Sequence, residues 1–508
     1  MTRRWWALGA ISLAVLAITL DVTVLSLALP TLAGAFKASE SQLQWFVTAY
    51  TLALVAGMLP AGLFGDRFGQ KAVMLAALLL FALGSLGCAY APDAAAFIAA
   101  RVAVALAGAA AIVVALSLLT LLFSEAERPR AVGIWGAANF LGLPLGPIVG
   151  GWILSHLWWG WIFLMNVPVA ILAVIAVTAL VPGSRPARTP GFDLLGLVLA
   201  SVGLVALMYG VIEAGSDGWG AADALVPVAA GIVTLVSFWA WERRMAQVPG
   251  GEPLVDLRLF KSRSFTWGVL LTAFGTLGLF GVLFGLPQYL QAVEGVGPQA
   301  TGVRLLPVIV GMILGAVPAD RVAARIGAKL TVAVGFALVV AGSAIGSLMT
   351  AGSGDAYVAV WTFLVGIGAG FGFATAASAA LVELSQESSG VASALLQAVV
   401  KLGPAFGSSI LGSVLNATYR AQVQVTGLAP VVRDTVKASV FGGIALARQL
   451  GSATLLASIR TAFVAGMDRS VLATAGIAAV ASVLALAFLP ARRMSPAGPA
   501  GGAKQAGG

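Results

Sequence analysis

Histidine and cysteine occur once each in this sequence, as His156 and Cys88. One thiol excludes an intramolecular disulfide, and one imidazole leaves too few soft ligands for a zinc or haem centre. Metal chemistry and a resident cofactor are therefore not expected. No G-x-x-x-x-G-K-[ST] phosphate loop is present, which argues against ATP as an energy source. Charge is scarce as well: 10% of the 508 residues are charged, where a soluble domain carries about a quarter. No segment is long and polar enough to fold separately in water. The chain is not expected to be an enzyme.

What fills the sequence instead is apolar: 60% of residues are hydrophobic and the mean hydropathy is +0.99. Apolar windows bounded by charge, Pro and Gly fall at 5–29, 43–64, 72–91, 96–120, 131–154, 161–181, 194–214, 223–241, 265–287, 300–318, 330–350, 357–381, 390–415 and 470–489. Each is near the length that crosses a bilayer as a helix, so the reading is an all-α integral membrane protein with fourteen transmembrane helices. The start, MTRRWW before an apolar run, has the look of a signal peptide, and Ala33 to Ala35 offers small residues for cleavage. The length of that run, its Asp21 and the spans that follow at once favour a membrane helix.

The formal charge of +9 reports topology, not nucleic acid, because the basic residues sit in short connections between apolar runs. An even number of spans puts both termini on one side. With the N-terminus in the cytoplasm, the inner connections hold Arg67, Lys71, Arg128, Arg130, Arg243, Arg244, Lys261, Arg263, Arg321, Arg325 and Lys329, whereas the short outer ones hold Lys37 alone. The stretch 416–469, read as a long outer loop, carries six Arg or Lys, and a connection of that length can translocate despite its charge; the alternative reading makes its apolar part, VFGGIALARQLGSATLLASI, two half-spans. The implied orientation places both termini on the cytoplasmic side of the membrane.

GLFGDRFGQK at 62–71 has a looser echo in GAVPADRVAARIGAK at 315–329, each after the second helix of a six-helix set if spans seven and eight are an insertion. Duplicated six-helix halves are a transporter architecture. The domains read as 1–182, an N-terminal bundle; 183–262, a two-helix insertion; 263–489, a C-terminal bundle; and 490–508, a disordered Ala, Gly and Pro rich tail.

Asp21, inside LDVTVLSLALPTL, is an energetic anomaly: an ionised carboxylate near the middle of a span costs several kcal/mol unless compensated. A buried carboxyl can be neutral when it faces a proton-rich side and ionised when a cation or water arrives, so one group can hold either proton or cation. A structural Asp held by a neighbouring amide or arginine is the alternative. Arg101, in span four, lies at a similar depth and is the natural counterpart; a snorkelling arginine is the other reading.

GLPLGPIVGG at 142–151 places Gly142, Gly146, Gly150 and Gly151 on span five together with Pro144 and Pro147. Glycines four apart leave a bare stripe for close packing, and the prolines remove backbone donors and bend the helix. Tyr50, Asn139 and Phe140 set aromatic and polar groups where a lipophilic cation could be held. Glu213 is either solvated or drug-binding. Lys401, an amine inside span thirteen, needs a partner and is either a structural pair or a cavity residue. GIGAGFGF at 366–373 lies in a long apolar run with no strand before it and is read as packing, not a nucleotide loop.

Taken in order, LDVTVLSLALPTL, GLFGDRFGQK, GLPLGPIVGG and WIFLMNVP resemble the fourteen-span drug:proton antiporters of the major facilitator superfamily, and among them the exporters of quaternary ammonium and multidrug substrates. LPQYLQAVEG, PLVDLRLFKSRSF and ALLQAVVKLGPAFGSSILGSVLNATYR extend the resemblance through the second half. It implies two six-helix bundles plus two inserted helices, and proton-coupled export of small lipophilic, cationic compounds by a monomer embedded in the bilayer. It assigns proton coupling to Asp21 and Arg101, with Val104 and Ala105 departing from the glutamine and glycine common in the family. It makes Gly62, Asp66, Arg67, Gly69 and Lys71 a conformational latch and associates the fifth-helix motif with export. A dedicated exporter of one antibiotic or metabolite, or a membrane sensor without transport, are the competing readings.

Overall fold

The computed structural model describes residues 2–36, 40–124, 127–183, 193–248, 253–255, 257–350, 352–381, 389–426 and 428–490. Every regular element among them is helical. The first half contains α1 (Thr2–Phe36), α2 (Glu40–Phe68), α3 (Gln70–Ala89), α4 (Ala94–Leu122), α5 (Arg128–His156), α6 (Trp161–Leu164) and α7 (Asn166–Leu180). The insertion is α8 (Leu194–Asp217) and α9 (Ala222–Met245). The second half begins with a short 3-10 turn, Leu257–Lys261, and α10 (Arg263–Gln288), which runs into a π-helical turn, Tyr289–Val293. There follow α11 (Pro298–Arg304), α12 (Leu306–Ala316), α13 (Ala319–Ile326), α14 (Ala328–Gly346), α15 (Asp355–Leu381), α16 (Ser389–Gln422), α17 (Pro430–Ala438), α18 (Val440–Gln449) and α19 (Ala453–Phe488).

Among the described residues, thirteen spans are long and apolar enough to cross a membrane. With α5, 29 residues and about 43 Å long at 1.5 Å per residue, they make fourteen. Helices are obligatory here because the hydrocarbon interior offers no partner for a free backbone group. Their starts follow local chemistry: Asp93 caps α4 by accepting from Ala96 N–H at 2.8 Å, Ser262 caps α10 through Phe265 N–H, and Ser452 caps α19 through Leu455 N–H.

Two apolar cores correspond to the two halves, and α16 serves both. Its residues from Ala394 to Ala405 belong to the core of the first half, while Leu415 and Tyr419 belong to that of the second. Helix α8 packs on both α2 and α16, so the insertion lies along the seam between the halves; α9 packs mainly on α8 and leaves Val226, Val233 and Val236 exposed. The internal echo has a geometric counterpart. Gly69, before α3, and Gly327, before α14, both turn the chain at positive φ, 93° and 89°, a conformation that favours glycine.

Three boundaries differ from the sequence reading. Span six is broken between α6 and α7, where Pro168 falls in the first turn of α7, and span ten is broken between α11 and α12, where Pro307 sits at the new N-terminus. The stretch 416–469, read as a loop, is largely helical. Helix α16 runs on to Gln422, α17 and α18 form a short pair, and α19 starts at Ala453, well before 470. Here Tyr419 donates its hydroxyl to Val436 O at 2.7 Å, tying α17 to the end of α16. The tail beyond Pro490 lies outside the described residues.

The 366–373 glycines do pack. A methyl on Gly366 would strike Val308 O, one on Gly370 would strike Met312 O, and one on Gly368 would strike Gly335 O. Helix α15 is thus held against the backbones of α12 and α14.

Candidate functional site

Asp21 lies on α1 and Arg101 on α4, and the structure joins them. Arg101 Nη1 donates to Asp21 Oδ2 in an ion pair whose side chains are 0% and 1% exposed. Asn166, at the start of α7, donates its amide to the other oxygen, Oδ1, at 3.0 Å, and lies 3.4 Å from Ser85 Oγ on α3. The guanidinium stacks 4.2 Å from the centre of the Tyr50 ring on α2, with the Phe163 ring 5.9 Å away. Cys88, on α3, is buried at the same place. Six helices of the first half therefore meet around one charged pair.

A pair removed from water this completely is stable only when both charges have good partners. Asp21 has two: a guanidinium and an amide. Arg101 has a carboxylate and an aromatic face, whose quadrupole attracts a cation. Two polar atoms in the group have no partner among the described residues, the Arg101 Nε and the Tyr50 hydroxyl. A buried donor left unmade costs about 1–3 kcal/mol, so the cluster has spare hydrogen-bonding capacity and a reason to rearrange.

Asn166 was not singled out from the sequence, although WIFLMNVP was quoted. Its signal was available: an amide alone in an apolar run, two residues before a proline, marks a helix start inside the membrane where a polar side chain needs a partner.

Of the other candidates, Tyr50 joins the cluster and Asn139 does not. Asn139 on α5 accepts from the Thr19 hydroxyl of α1 at 2.5 Å, within a turn of where the α5 glycines contact α1. Those contacts are close. A methyl on Gly142 would come 2.7 Å from Thr19 Cβ, one on Gly146 would strike the Thr23 hydroxyl, and one on Gly150 would lie 2.7 Å from Val24 Cγ1. The Thr23 hydroxyl itself donates to Gly142 O at 3.0 Å. The glycine stripe thus carries α1, the helix of Asp21, directly on α5, which remains helical through Pro144 and Pro147 and on to Gly151. The side chain of Phe140 lies outside the described residues.

Glu213, half-buried on α8, and Lys401, half-buried on α16, are not brought into the Asp21 cluster. Lys401 makes no hydrogen bond or ion pair with any described residue. The expected structural partner for Lys401 is therefore missing among them. A small apolar cavity in the second half, lined by Phe274, Phe336, Val365, Phe373 and Ala478, contains none of the polar candidates.

A sequence profile described as Major Facilitator Superfamily matches residues 11–408. The chain belongs to the major facilitator superfamily. It is 32% identical over 493 residues to the "Multidrug efflux pump LfrA" of Mycolicibacterium smegmatis, covering 96% of this chain and 97% of the relative. It is 30% identical over 496 residues to the "Tetracenomycin C resistance and export protein" of Streptomyces glaucescens, covering 95% and 91%. In three dimensions it is similar to the crystal structure of the human organic anion transporter MFSD10, with a TM-score of 0.63 and 14% identity over 96% of this chain and 100% of that one. This major facilitator is accordingly a multi-pass membrane protein of a transporter family, with two six-helix bundles and an inserted pair.

The turn between α2 and α3 shows what its charges touch in this superfamily member. Lys71 Nζ donates to Thr178 O at 2.8 Å and Val181 O at 2.7 Å, the free carbonyls at the C-terminus of α7, while Arg3 reaches Ala179 O. Cations at a helix C-terminus complement its dipole. Asp66 accepts from Gln70 Nε2 at 2.9 Å, across the turn that Gly69 makes. Gly62 is buried within α2, and Arg67 lies 6.0 Å from the Phe68 ring.

Proposed function

We propose that this chain exports lipophilic, cationic compounds from a bacterial cytoplasm in exchange for protons, by alternating access, with both termini on the cytoplasmic side. The observation that carries the proposal is the fully buried Asp21–Arg101 pair, seated on the helix that the α5 glycine stripe clasps. Proton uptake at Asp21 would free Arg101 and loosen α1 from α4. Loss of the proton would restore the ion pair. The relatives named for multidrug efflux and for antibiotic export support the direction and the drug-like cargo.

In this reading Arg101 and Asn166 set when Asp21 can accept a proton, and Tyr50 holds the guanidinium during the exchange. The turn from Gly62 to Lys71 would latch one closed state by capping α7. The Gly142 to Gly151 stripe would let α5 and α1 move as one unit. Asn139, Phe140, Glu213 and Lys401 are the candidates for contact with cargo. A dedicated exporter is the second reading, favoured by the similarity to a tetracenomycin C export protein.

The test is flux of ethidium or a quaternary ammonium compound in proteoliposomes under an imposed pH gradient. Wild-type protein should concentrate the dye against its gradient, and Asp21→Asn, expressed and inserted normally, should not. Wild-type exchange by Asp21→Asn would remove Asp21 from the mechanism. Acceptance of many dyes and biocides supports multidrug efflux, and acceptance of one compound supports the dedicated reading.

A further inference from the structure

A second buried acidic group lies far from Asp21 in sequence, at the end of the inserted pair where α8 starts and α9 finishes. Asp193, 8% exposed, caps α8 by accepting from Gly196 N–H at 2.9 Å, and it accepts from Trp241 Nε1 at 2.9 Å on Oδ2 and 3.1 Å on Oδ1. Glu242, the next residue on α9, is 0% exposed and accepts from Val255 N–H at 3.0 Å on Oε2. Its other oxygen, Oε1, is buried with no donor among the described residues. What Oε1 faces is Asp193. A methyl on Gly196 would sit 2.5 Å from Glu242 Oε1 and collide with Asp193 Oδ2, so both oxygens converge over a residue without a side chain.

Two ionised carboxylates can only accept hydrogen bonds, and bringing them together out of water leaves both oxygens facing a like charge. One proton between them converts repulsion into a short O–H···O bond, as in paired carboxyls elsewhere in protein chemistry. Among the described residues, basic neighbours do not supply the missing charge. Arg243 and Arg244 follow Glu242 on α9 but are exposed, Arg243 over the Trp239 ring. Among the described residues of α8, α9, 253–255 and the turn Leu257–Lys261, Asp193 is the charged group that faces Glu242. Asp256 and the Arg258 side chain lie outside them.

We propose that Asp193 and Glu242 form a proton-binding site, an acid–carboxylate pair that clamps the insertion to the segment 253–255 and opens when its proton leaves. Val255 is 1% exposed and Leu254 is 6% exposed, so opening the clamp frees a buried segment just ahead of α10, the first helix of the second half. Helix α8 at the same time packs on α2 and α16. The clamp thereby joins the insertion, which lies on the seam, to the start of the second half. On the orientation proposed above this end faces the cytoplasm, and an alkaline cytoplasm would release it; the clamp itself does not depend on that orientation or on transport.

The clamped form holds one proton that the two solvated carboxylates do not, so its stability falls as pH rises. Hydrogen–deuterium exchange of the full-length protein in lipid nanodiscs, corrected for the intrinsic pH dependence, should show this at the Val255 amide. While the clamp holds its proton and the opened carboxylates are ionised, the opening constant should rise about tenfold per pH unit, the slope for one linked proton. Glu242→Gln, whose amide can donate to Asp193 at every pH, should keep the protection and lose the slope. In infrared difference spectra a protonated-carboxyl band should persist in Asp21→Asn and vanish in both Glu242→Gln and Asp193→Asn. Three results would each overturn the proposal: protection independent of pH in wild type, a slope unchanged in Glu242→Gln, or protection that follows added sodium or calcium at fixed pH. A transport failure with these signatures intact would count against the efflux reading alone.

Discussion

Asp21 and Glu242 are both 0% exposed, yet they are accommodated in opposite ways. Asp21 faces a guanidinium fixed on another helix, so its charge is balanced by a second buried charge. Glu242 faces another carboxylate, and the partner it lacks is small enough to arrive from solvent. The first arrangement is locked by protein and can change only when helices part. The second depends on what the medium supplies. A buried carboxylate is therefore not one kind of device; its function follows from whether its compensation is covalent to the chain or exchangeable.

Substitutions can break that contrast from either side. The largest effect is expected at Arg101→Leu, which strands Asp21 without its cation and should cost about 3–5 kcal/mol, read as a lower thermal unfolding midpoint in lipid or detergent. The double variant Asp21→Leu with Arg101→Leu should recover most of that loss and still fail to drive proton-coupled flux. A single variant as stable as wild type would show that the pair does not hold the helices together. Next, Asn166→Leu deletes a hydrogen bond to a charged group and should cost about 1.5–3 kcal/mol in the same assay, with a change in the pH profile of flux that a merely structural amide would not produce.

On the other side, Trp241→Phe removes the indole donor to Asp193 and should cost toward the lower end of about 1.5–3 kcal/mol. It should also carry the pH-dependent loss of stability on to higher pH, which Asn166→Leu should not. Smallest of all, Lys71→Met removes an end-on cation from α7 and should cost about 0.3–1 kcal/mol, shrinking with added salt. If Lys71→Met proved as damaging as Arg101→Leu, burial would not be what separates these charges.

The sequence made the membrane fold plain because apolar run length is a strong signal, and it made Asp21 conspicuous because a lone carboxylate in such a run has few explanations. Depth along two helices brought Arg101 close to it, and the structure turned that proximity into an ion pair. Asn166 escaped because its importance depends on α7 facing α1, a three-dimensional fact. The helices from 430 to 469 escaped for another reason: their short apolar stretches, broken by Arg433, Lys437 and Arg448, fall below what a membrane-length window detects. Asp193 and Glu242 were not singled out, since they lie 49 positions apart and only the antiparallel return of α9 along α8 brings them together.

Cys88 gives this chain an experimental handle. It is the sole thiol in the sequence, and it is buried beside the Asp21–Arg101 pair. Cys88 is 0% exposed, so a water-borne maleimide can reach it only when the helices around the pair part. Native protein, with no engineered label, would therefore report each opening of that pocket as a single covalent mark, and the rate of marking under a pH gradient would count openings.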